Sequence, residues 1–211
     1  MSDMSLLARA IDEGDREQAV FLAKQALDDG INASEIISRG LQAGMAVVGD
    51  KYSSGEYFLP DMLMAARAMK TALEEIKPAL GKMGVPTIGR VVIGTVAGDM
   101  HDVGKNVVAT FLGGSGFEVF DLGLNVADQA FIDEVRARKA DILGLSALLT
   151  TTMPLMGRII QLLDEAGMRS SVKVIVGGAP VTQVYADYIG ADAYAHDGGK
   201  AIRVCRELMG K

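Results

Sequence analysis

The sequence predicts two parts, a small bundle of helices at residues 1–85 followed by a doubly wound α/β domain at residues 86–211. Before residue 85, apolar side chains recur at the spacing of amphipathic helices. Beyond it, short β-branched runs alternate with helical stretches, which indicates a parallel sheet with helices on both faces. Hydrophobic residues make up 49% of the 211 residues, which is ordinary for a globular protein of one large or two smaller domains.

Four helices with short connections are expected in the first part. Their predicted spans are residues 6–14, 15–30, 34–51 and 60–77. Asp15 is suited to cap the second helix, and Pro60 is suited to the first turn of the fourth. The glycine-rich stretch at residues 81–86 is the predicted linker between the two parts.

Five strand and helix units are expected in the second part. The predicted strands are residues 91–96, 117–122, 142–148, 172–176 and 193–195. The predicted helices are residues 104–113, 128–139, 154–166, 181–189 and 200–209. Five such units are typical of a flavodoxin-like (Rossmann-like) domain with a five-stranded, doubly wound parallel sheet.

Charge and cysteine content exclude several classes of function. The formal net charge of −6 argues against nucleic-acid binding, which requires a basic face. No apolar run approaches the roughly 18 residues of a membrane span, and the start of the chain lacks the positive segment of a signal peptide. The single cysteine, Cys205, has no partner for an internal disulfide, which is typical of a reducing compartment. We therefore expect a cytoplasmic protein that binds neither nucleic acid nor membrane.

An Asp-x-His-x-x-Gly element follows the first predicted strand. It comprises Gly98, Asp99, Met100, His101, Asp102, Val103 and Gly104, and it holds one of only two histidines in the chain. Ligands of open α/β sheets bind at the carboxyl ends of the strands, where this element lies. An aspartate two residues before a histidine can also orient and polarise its imidazole. The pairing predicts that His101 is a ligand of a metal or cofactor.

Two other predicted strands end in segments suited to a large ligand. The third leads into residues 146–152, which include Ser146 and three consecutive threonines. The fourth ends at Gly177 and Gly178, where the missing side chains leave room for a bulky group. Loops at the carboxyl ends of parallel strands meet at one edge of the sheet. A coordinating imidazole, several hydroxyls and a glycine gap indicate a site for a large cofactor.

Other phosphate and nucleotide sites fit less well. The nearest approach to a dinucleotide fingerprint, Gly114-Ser115-Gly116, precedes a strand instead of following one. The stretch from Gly98 to Lys105 is one residue too long for a phosphate-binding loop, and Asn106 replaces the hydroxyl residue that would bind magnesium. A phosphoacceptor site at Asp99 lacks acidic neighbours. A hydrogen-bonded loop histidine remains the simplest alternative for His101.

Together the three strand-end segments resemble a known family. Asp99-x-His101-x-x-Gly104, Ser146-x-Leu148 and Gly177-Gly178 are similar to the signature of cobalamin-binding domains that bind the cofactor with its own base displaced and a histidine in its place. Residues 55–62 resemble the helical cap of methyltransferase corrinoid proteins, and the second part resembles the cobalamin-binding module of methionine synthase. The resemblance covers essentially the whole chain.

The resemblance implies a role for each matched position. His101 would be the lower axial ligand of cobalt, and Asp99 would hold its other ring nitrogen, with Thr152 continuing that relay. The slot for the displaced nucleotide tail would be lined by Ser146, Leu148 and Thr150, with Gly177 and Gly178 at its wall. The remaining loop positions expected to bind the cofactor are Gly98, Met100, Asp102, Val103 and Gly104. The cap over the upper face would use Phe58, Leu59, Met62 and Leu63. The role of His196, beside Asp197, stays open.

The implied function is that of a corrinoid methyl carrier, a non-autonomous subunit of a methylamine, methanol or O-demethylase type of methyltransferase system. A donor-specific methyltransferase would load the methyl group, from a donor such as a methylamine or a methoxylated aromatic. An acceptor methyltransferase would pass it from methylcobalt(III) to an acceptor such as tetrahydrofolate or a thiol. A reductive activator is a third implied partner. The alternative is a cobalamin-binding sensor or regulatory protein; a mutase small subunit would lack the helical part.

Overall fold

The computed structural model describes residues 3–83 and 86–210. The chain forms two compact units, a helical unit that comprises the chain up to Thr87 together with Gly114–Gly116, and an α/β unit of residues 88–113 and 117–210. The predicted linker at residues 81–86 includes residues 84 and 85, which lie outside the described residues. No helix among the described residues is both long enough and apolar enough to span a membrane.

The helical unit follows the predicted order of helices. Its elements are α1 (Met4–Asp12), α2 (Arg16–Asp28), α3 (Ala33–Glu35), a π-helical segment (Ile36–Gln42), α4 (Ala43–Ser53), α5 (Leu59–Ile76) and a 3-10 segment (Lys77–Met83). The Asp15 carboxylate accepts the Gln18 backbone N–H at 3.0 Å, so the predicted N-cap of α2 is confirmed. The Asp61 carboxylate accepts the Phe58 N–H at 2.8 Å and closes the start of α5.

The third predicted helix is not a regular α-helix. Ile36 and Leu41, five residues apart, are both fully buried, and this spacing matches the wider turn of a π-helix. Gly44, two residues into α4, lies so close to α1 that a Cβ atom there would be 2.5 Å from the Ala8 carbonyl oxygen. The close approach of α1 and the wider turn are tertiary effects that a periodicity of 3.6 does not reveal.

The α/β unit contains one five-stranded parallel sheet with the order β2-β1-β3-β4-β5. Its strands are β1 (Arg90–Thr95), β2 (Glu118–Asp121), β3 (Ile142–Ser146), β4 (Lys173–Gly177) and β5 (Ala193–Tyr194). Its helices are α6 (Val103–Gly114), α7 (Asp128–Arg138), α8 (Pro154–Glu165), α9 (Gln183–Ile189) and α10 (Gly198–Leu208). This is the flavodoxin-like order, so the predicted fold class is confirmed.

The register of the sheet places the site. Thr95 of β1 pairs with Ser146 of β3, which in turn pairs with Gly177 of β4. Each of the three is the last residue of its strand, so the loops that follow begin side by side at one edge. The predicted third strand was two residues too long: after Ser146 the chain leaves the ladder, and the Leu148 N–H donates to a side chain instead.

Candidate cofactor site

Asp99 is fully buried and joins the loop after β1 to the loop after β3. Its Oδ1 atom lies 2.8 Å from Nδ1 of His101 and accepts the His101 backbone N–H at 3.1 Å. Its Oδ2 atom accepts the backbone N–H groups of Leu148 at 2.8 Å and Leu149 at 3.2 Å, and the Thr152 hydroxyl lies 2.8 Å away. Both carboxylate oxygens therefore have fixed partners.

These contacts set the charge of Asp99. Burial by itself raises the pKa of this carboxyl, but the donors on His101, Leu148 and Thr152 outweigh it and hold the pKa of Asp99 well below its usual range. An ionised carboxylate only accepts hydrogen bonds, so Nδ1 of His101 carries the proton in this pair. In the neutral imidazole with this tautomer, the lone pair is on Nε2 of His101.

His101 presents that nitrogen to the outside of the protein. Its side chain is 51% exposed, and Nε2 has no hydrogen-bond partner among the described residues. A neutral imidazole whose second nitrogen is held by a carboxylate is the usual form of a histidine metal ligand. The donor set fits a metal that needs one protein nitrogen and brings its other ligands with it, as the cobalt of a corrin ring does.

Apolar side chains with large exposed areas lie on the same two loops. Met100 lies in the first loop and Val103 is the first residue of α6, on either side of His101 in the chain, and they are 63% and 74% exposed. Leu148 and Leu149, whose amides bind Asp99, are also exposed. Exposed apolar side chains grouped around a single polar ligand are typical of a cofactor site with a broad apolar face.

The two predicted glycines mark a close approach of backbones. A Cβ atom on Gly178, which has φ 129°, would overlap the carbonyl oxygen of Ala147 in the loop after β3. A Cβ atom on Gly177 would lie 2.7 Å from the carbonyl oxygen of Ala195. Glycine is therefore required at both positions by neighbouring protein backbone, whatever these glycines do for a cofactor.

Other predicted residues are placed as follows. Ser146 ends β3, and the hydroxyl that reaches Asp99 belongs to Thr152, the residue expected to continue the relay. Thr150 is exposed in the turn before α8. His196 is 61% exposed, and its Nε2 lies 3.0 Å from the carboxylate of Asp197, the N-cap of α10. These positions leave His196 outside the Asp99 network.

The predicted cap residues divide by burial. Phe58, Leu59 and Leu63 are exposed around the start of α5, whereas Met62 is fully buried. Met64, two residues after Met62 on α5, is 55% exposed. Of the four predicted cap residues, Met62 alone has no exposed surface with which to meet a cofactor.

Comparison with known proteins decides the family. A family model described as "B12 binding domain" matches residues 89–205, and a second model with the same description matches residues 5–77. The chain belongs to the B12-binding corrinoid proteins. Cobalamin is thus the cofactor of this family, as the resemblance implied, and the cobalt that His101 is suited to bind comes with it.

The relatives of this corrinoid protein match it along nearly its whole length. A corrinoid protein of Desulfitobacterium hafniense is 39% identical over 100% of this chain and 99% of its own. Trimethylamine corrinoid protein 2 of Methanosarcina acetivorans is 46% identical over 92% of this chain and 90% of its own. A chain of the methanol:cobalamin methyltransferase complex of Methanosarcina barkeri superposes with a TM-score of 0.85 at 30% identity, over 98% of this chain and 79% of that one.

Three residues that contact the site were not predicted from the sequence. Leu149 acts through its backbone N–H, which every residue except proline has, so its type carries no signal. Thr95 and Asn125 contact the His101 loop from β1 and from the loop after β2. An asparagine between two apolar residues just after a strand is a weak signal for a left-handed turn, and Asn125 has φ 53°.

Proposed function

We propose that this protein is a methyl carrier whose cobalamin is ligated through Nε2 of His101. The observation that carries the proposal is the Asp99–His101 pair, which leaves one neutral ring nitrogen at the exposed carboxyl edge of the sheet. When bound, the corrinoid supplies a cobalt that takes up a methyl group and gives it up again. The protein supplies the ligand, its orientation and the surrounding electrostatics.

Asp99 keeps His101 in the tautomer that a metal requires. A protonated Nδ1 directs the lone pair to Nε2, and the negative carboxylate makes that nitrogen a stronger donor. Asp99 can act in this way because Leu148, Leu149 and Thr152 fix its other oxygen. Leu148, Leu149 and Thr152 therefore act on His101 through Asp99.

The remaining loop residues are assigned to the body of the cofactor. Ser146, Leu148 and Thr150 would line the slot for the nucleotide tail, and Gly177 with Gly178 would form its wall. The residues that would hold the corrin ring beside His101 are Gly98, Met100, Asp102, Val103 and Gly104. Supporting this assignment, a Cβ atom on Gly104 would meet no atom within 4 Å, so the space there is open for a bound group.

The proposed partners are two methyltransferases, one for the donor and one for the acceptor, with a reductive activator. We infer that the donor is a methylated amine, because one relative is a trimethylamine corrinoid protein at 46% identity. Between two superposed structures, a monomethylamine corrinoid protein of Methanosarcina barkeri is 37% identical and the chain in the methanol complex is 30% identical. These relatives also favour a carrier over the alternative of a cobalamin-based sensor.

A transfer assay tests this function. The full chain is loaded with hydroxocobalamin, reduced, and mixed with a trimethylamine-specific methyltransferase and radiolabelled trimethylamine. We expect label on the protein-bound corrinoid only when that methyltransferase is present. Methanol and a methoxylated aromatic, each with its own methyltransferase, are the matched comparisons.

Two outcomes would contradict the proposal. If only the methanol or the aromatic system labels the corrinoid, the protein is a methyl carrier but its donor is not a methylated amine. No label with any system, together with preferential binding of adenosylcobalamin and a change of oligomeric state on illumination, would make the protein a sensor.

A further inference from the structure

The loop that holds His101 is bound along its other side by the loop after β2. The Thr95 N–H donates to the Gly123 carbonyl at 3.0 Å, and the Val126 N–H donates to the Thr95 carbonyl at 3.0 Å. Val96 and Val126 form a parallel bridge at the same place. Residues 123–126 thus continue the pairing of β1 beyond the end of the strand and reach the His101 loop.

Asn125 makes two hydrogen bonds at the end of this pairing. Its side-chain Oδ1 accepts the Gly98 N–H at 2.7 Å, and its backbone N–H donates to the Asp99 carbonyl at 3.0 Å. Both Asn125 and Gly98 have left-handed backbones, with φ 53° and 75°. Asparagine tolerates this conformation better than most residues, so its type serves the backbone as well as the acceptor.

Thr95, the last residue of β1, binds the His101 backbone. Thr95 is fully buried, and its hydroxyl Oγ1 donates to the His101 carbonyl at 3.0 Å. Without that hydroxyl, this hydrogen bond to the His101 carbonyl is lost. Thr95 and Asn125 therefore fix the backbone on either side of the Asp99 carboxylate, whose own side chain is held from the loop after β3.

We propose that Thr95 and Asn125 are positioning residues that hold the His101 loop ready for cobalt. The inference rests on the proposed function, because it needs His101 to be the ligand. A ligand that is already oriented binds without the cost of ordering its loop. Loss of either contact lets the loop move, and Nε2 of His101 then meets the metal less often in the correct geometry.

Two pairs of variants separate the contact from the fold. Thr95→Val removes the hydroxyl but keeps the branched shape, and Thr95→Ser keeps the hydroxyl. Asn125→Gly keeps the left-handed backbone but removes the acceptor, and Asn125→Asp restores an acceptor. Thr110→Val is the matched control, because the Thr110 hydroxyl also donates to a carbonyl, that of Asn106, but on the exposed face of α6.

The first measurement uses the full chain without cofactor. Amide hydrogen exchange of Gly98 and His101 should be faster in Asn125→Gly and Thr95→Val than in the wild type, and unchanged in Thr110→Val. The second uses the same chains with hydroxocobalamin. We expect affinity to fall by about tenfold in Thr95→Val and Asn125→Gly, and to be restored in Thr95→Ser and Asn125→Asp.

The third measurement identifies the ligand. Protein labelled with nitrogen-15 is loaded with unlabelled cobalamin and reduced to cobalt(II), and its electron paramagnetic resonance spectrum is recorded. A protein nitrogen on cobalt splits the lines into doublets, whereas the cofactor's own base splits them into triplets. We expect a doublet in the wild type, its loss in His101→Ala, and a mixed spectrum in Thr95→Val and Asn125→Gly.

The outcomes distinguish the two proposals. If the wild type shows no protein nitrogen, His101 is not the ligand and the positioning role falls with it. If His101→Ala abolishes the doublet while Thr95→Val and Asn125→Gly keep wild-type affinity and a pure doublet, His101 is the ligand and the positioning role is wrong. Reduced affinity that Thr95→Ser and Asn125→Asp do not restore would likewise contradict it.

Discussion

Asp99 combines a negative charge with complete burial, and its surroundings explain how the protein tolerates this. A buried charge is costly unless it is paired or fully hydrogen-bonded. Here the Leu148 and Leu149 amides and the Thr152 hydroxyl contact one oxygen, and His101 contacts the other. All of these are donors, so an amide at this position would place its NH₂ group against another donor on one side.

The Thr152 hydroxyl is the support of Asp99 that can be removed with least change in shape. Thr152→Val should lower the free energy of unfolding of the cofactor-free protein by about 1–3 kcal/mol, because a buried carboxylate loses one donor. Urea denaturation measures the change. Thr151→Val, at the exposed neighbouring position, is the matched control.

Thr152→Val should also change the binding of the cofactor. Affinity for hydroxocobalamin should also fall, by about tenfold or more, because a ligand's supporting partners affect metal affinity. Equal free energies of unfolding for Thr152→Val and Thr151→Val would contradict the prediction. The Thr152 hydroxyl would then not stabilise the Asp99 carboxylate.

At the level of elements, an ion pair ties the first turn of α6 to the end of β2. The Lys105 side chain is 1% exposed, and its Nζ atom lies 2.6 Å from both carboxylate oxygens of Asp121 and 2.6 Å from Oδ1 of Asn106. The Asp121 side chain is 36% exposed and also accepts the Gly123 N–H at 2.8 Å. The two charges therefore differ in their access to water.

This difference predicts unequal effects of removing each partner. Asp121→Asn leaves the buried Lys105 ammonium without its counter-charge and should reduce the free energy of unfolding by about 3 kcal/mol or more. Lys105→Met replaces the buried charge with an apolar side chain and leaves Asp121 partly in water, so the loss should be about 1 kcal/mol. Urea denaturation of the cofactor-free protein compares them.

The control for the Lys105–Asp121 pair is an exposed ion pair on α7. Glu134 and Arg138 lie one turn apart on α7, both more than a third exposed, so Glu134→Gln should change stability by less than about 1 kcal/mol. A larger loss in Lys105→Met than in Asp121→Asn would show that the packing of the lysine stem, and not its charge, joins α6 to β2.

At the scale of the whole molecule, the α/β unit has a hydrophobic core of its own. The core packs β1, β3 and β4 against α7 and α8, and its buried members all lie between Val92 and Ala186. Phe131, Met156 and Leu163 are among its fully buried side chains. We expect a unit with its own core to fold alone.

We accordingly propose that the predicted boundary at residues 85 and 86 separates two folding domains. A fragment of residues 86–211 should unfold in a single cooperative transition in urea and should still bind hydroxocobalamin through His101. Circular dichroism and the nitrogen-15 resonance spectrum measure the two properties, with the full chain as the reference. A fragment that lacks a cooperative transition would show that the α/β unit depends on the helical one.

The sequence predicted much of the fold because its signals are local. The strands β1, β3 and β4 are buried on both faces, so each is a continuous, mostly apolar run in the sequence. The N-cap of α2 depends on Asp15 and a residue three positions on. The π-helical segment was missed because a residue spacing of 3.6 does not distinguish it from a regular α-helix.

The Asp99–His101 pair, the strand-end glycines and the family follow from the sequence by itself, because each depends on residue types at short, fixed spacings. The contact of Thr152 with Asp99 was implied by the resemblance, and the structure confirms it. The backbone donors of Asp99 in the loop after β3 depended on the tertiary structure. So did the contacts of Thr95, Asn125 and Leu149 with the His101 loop. These contacts involve backbone groups or hydroxyls that many residues possess, and only the register of neighbouring strands brings those atoms within bonding distance.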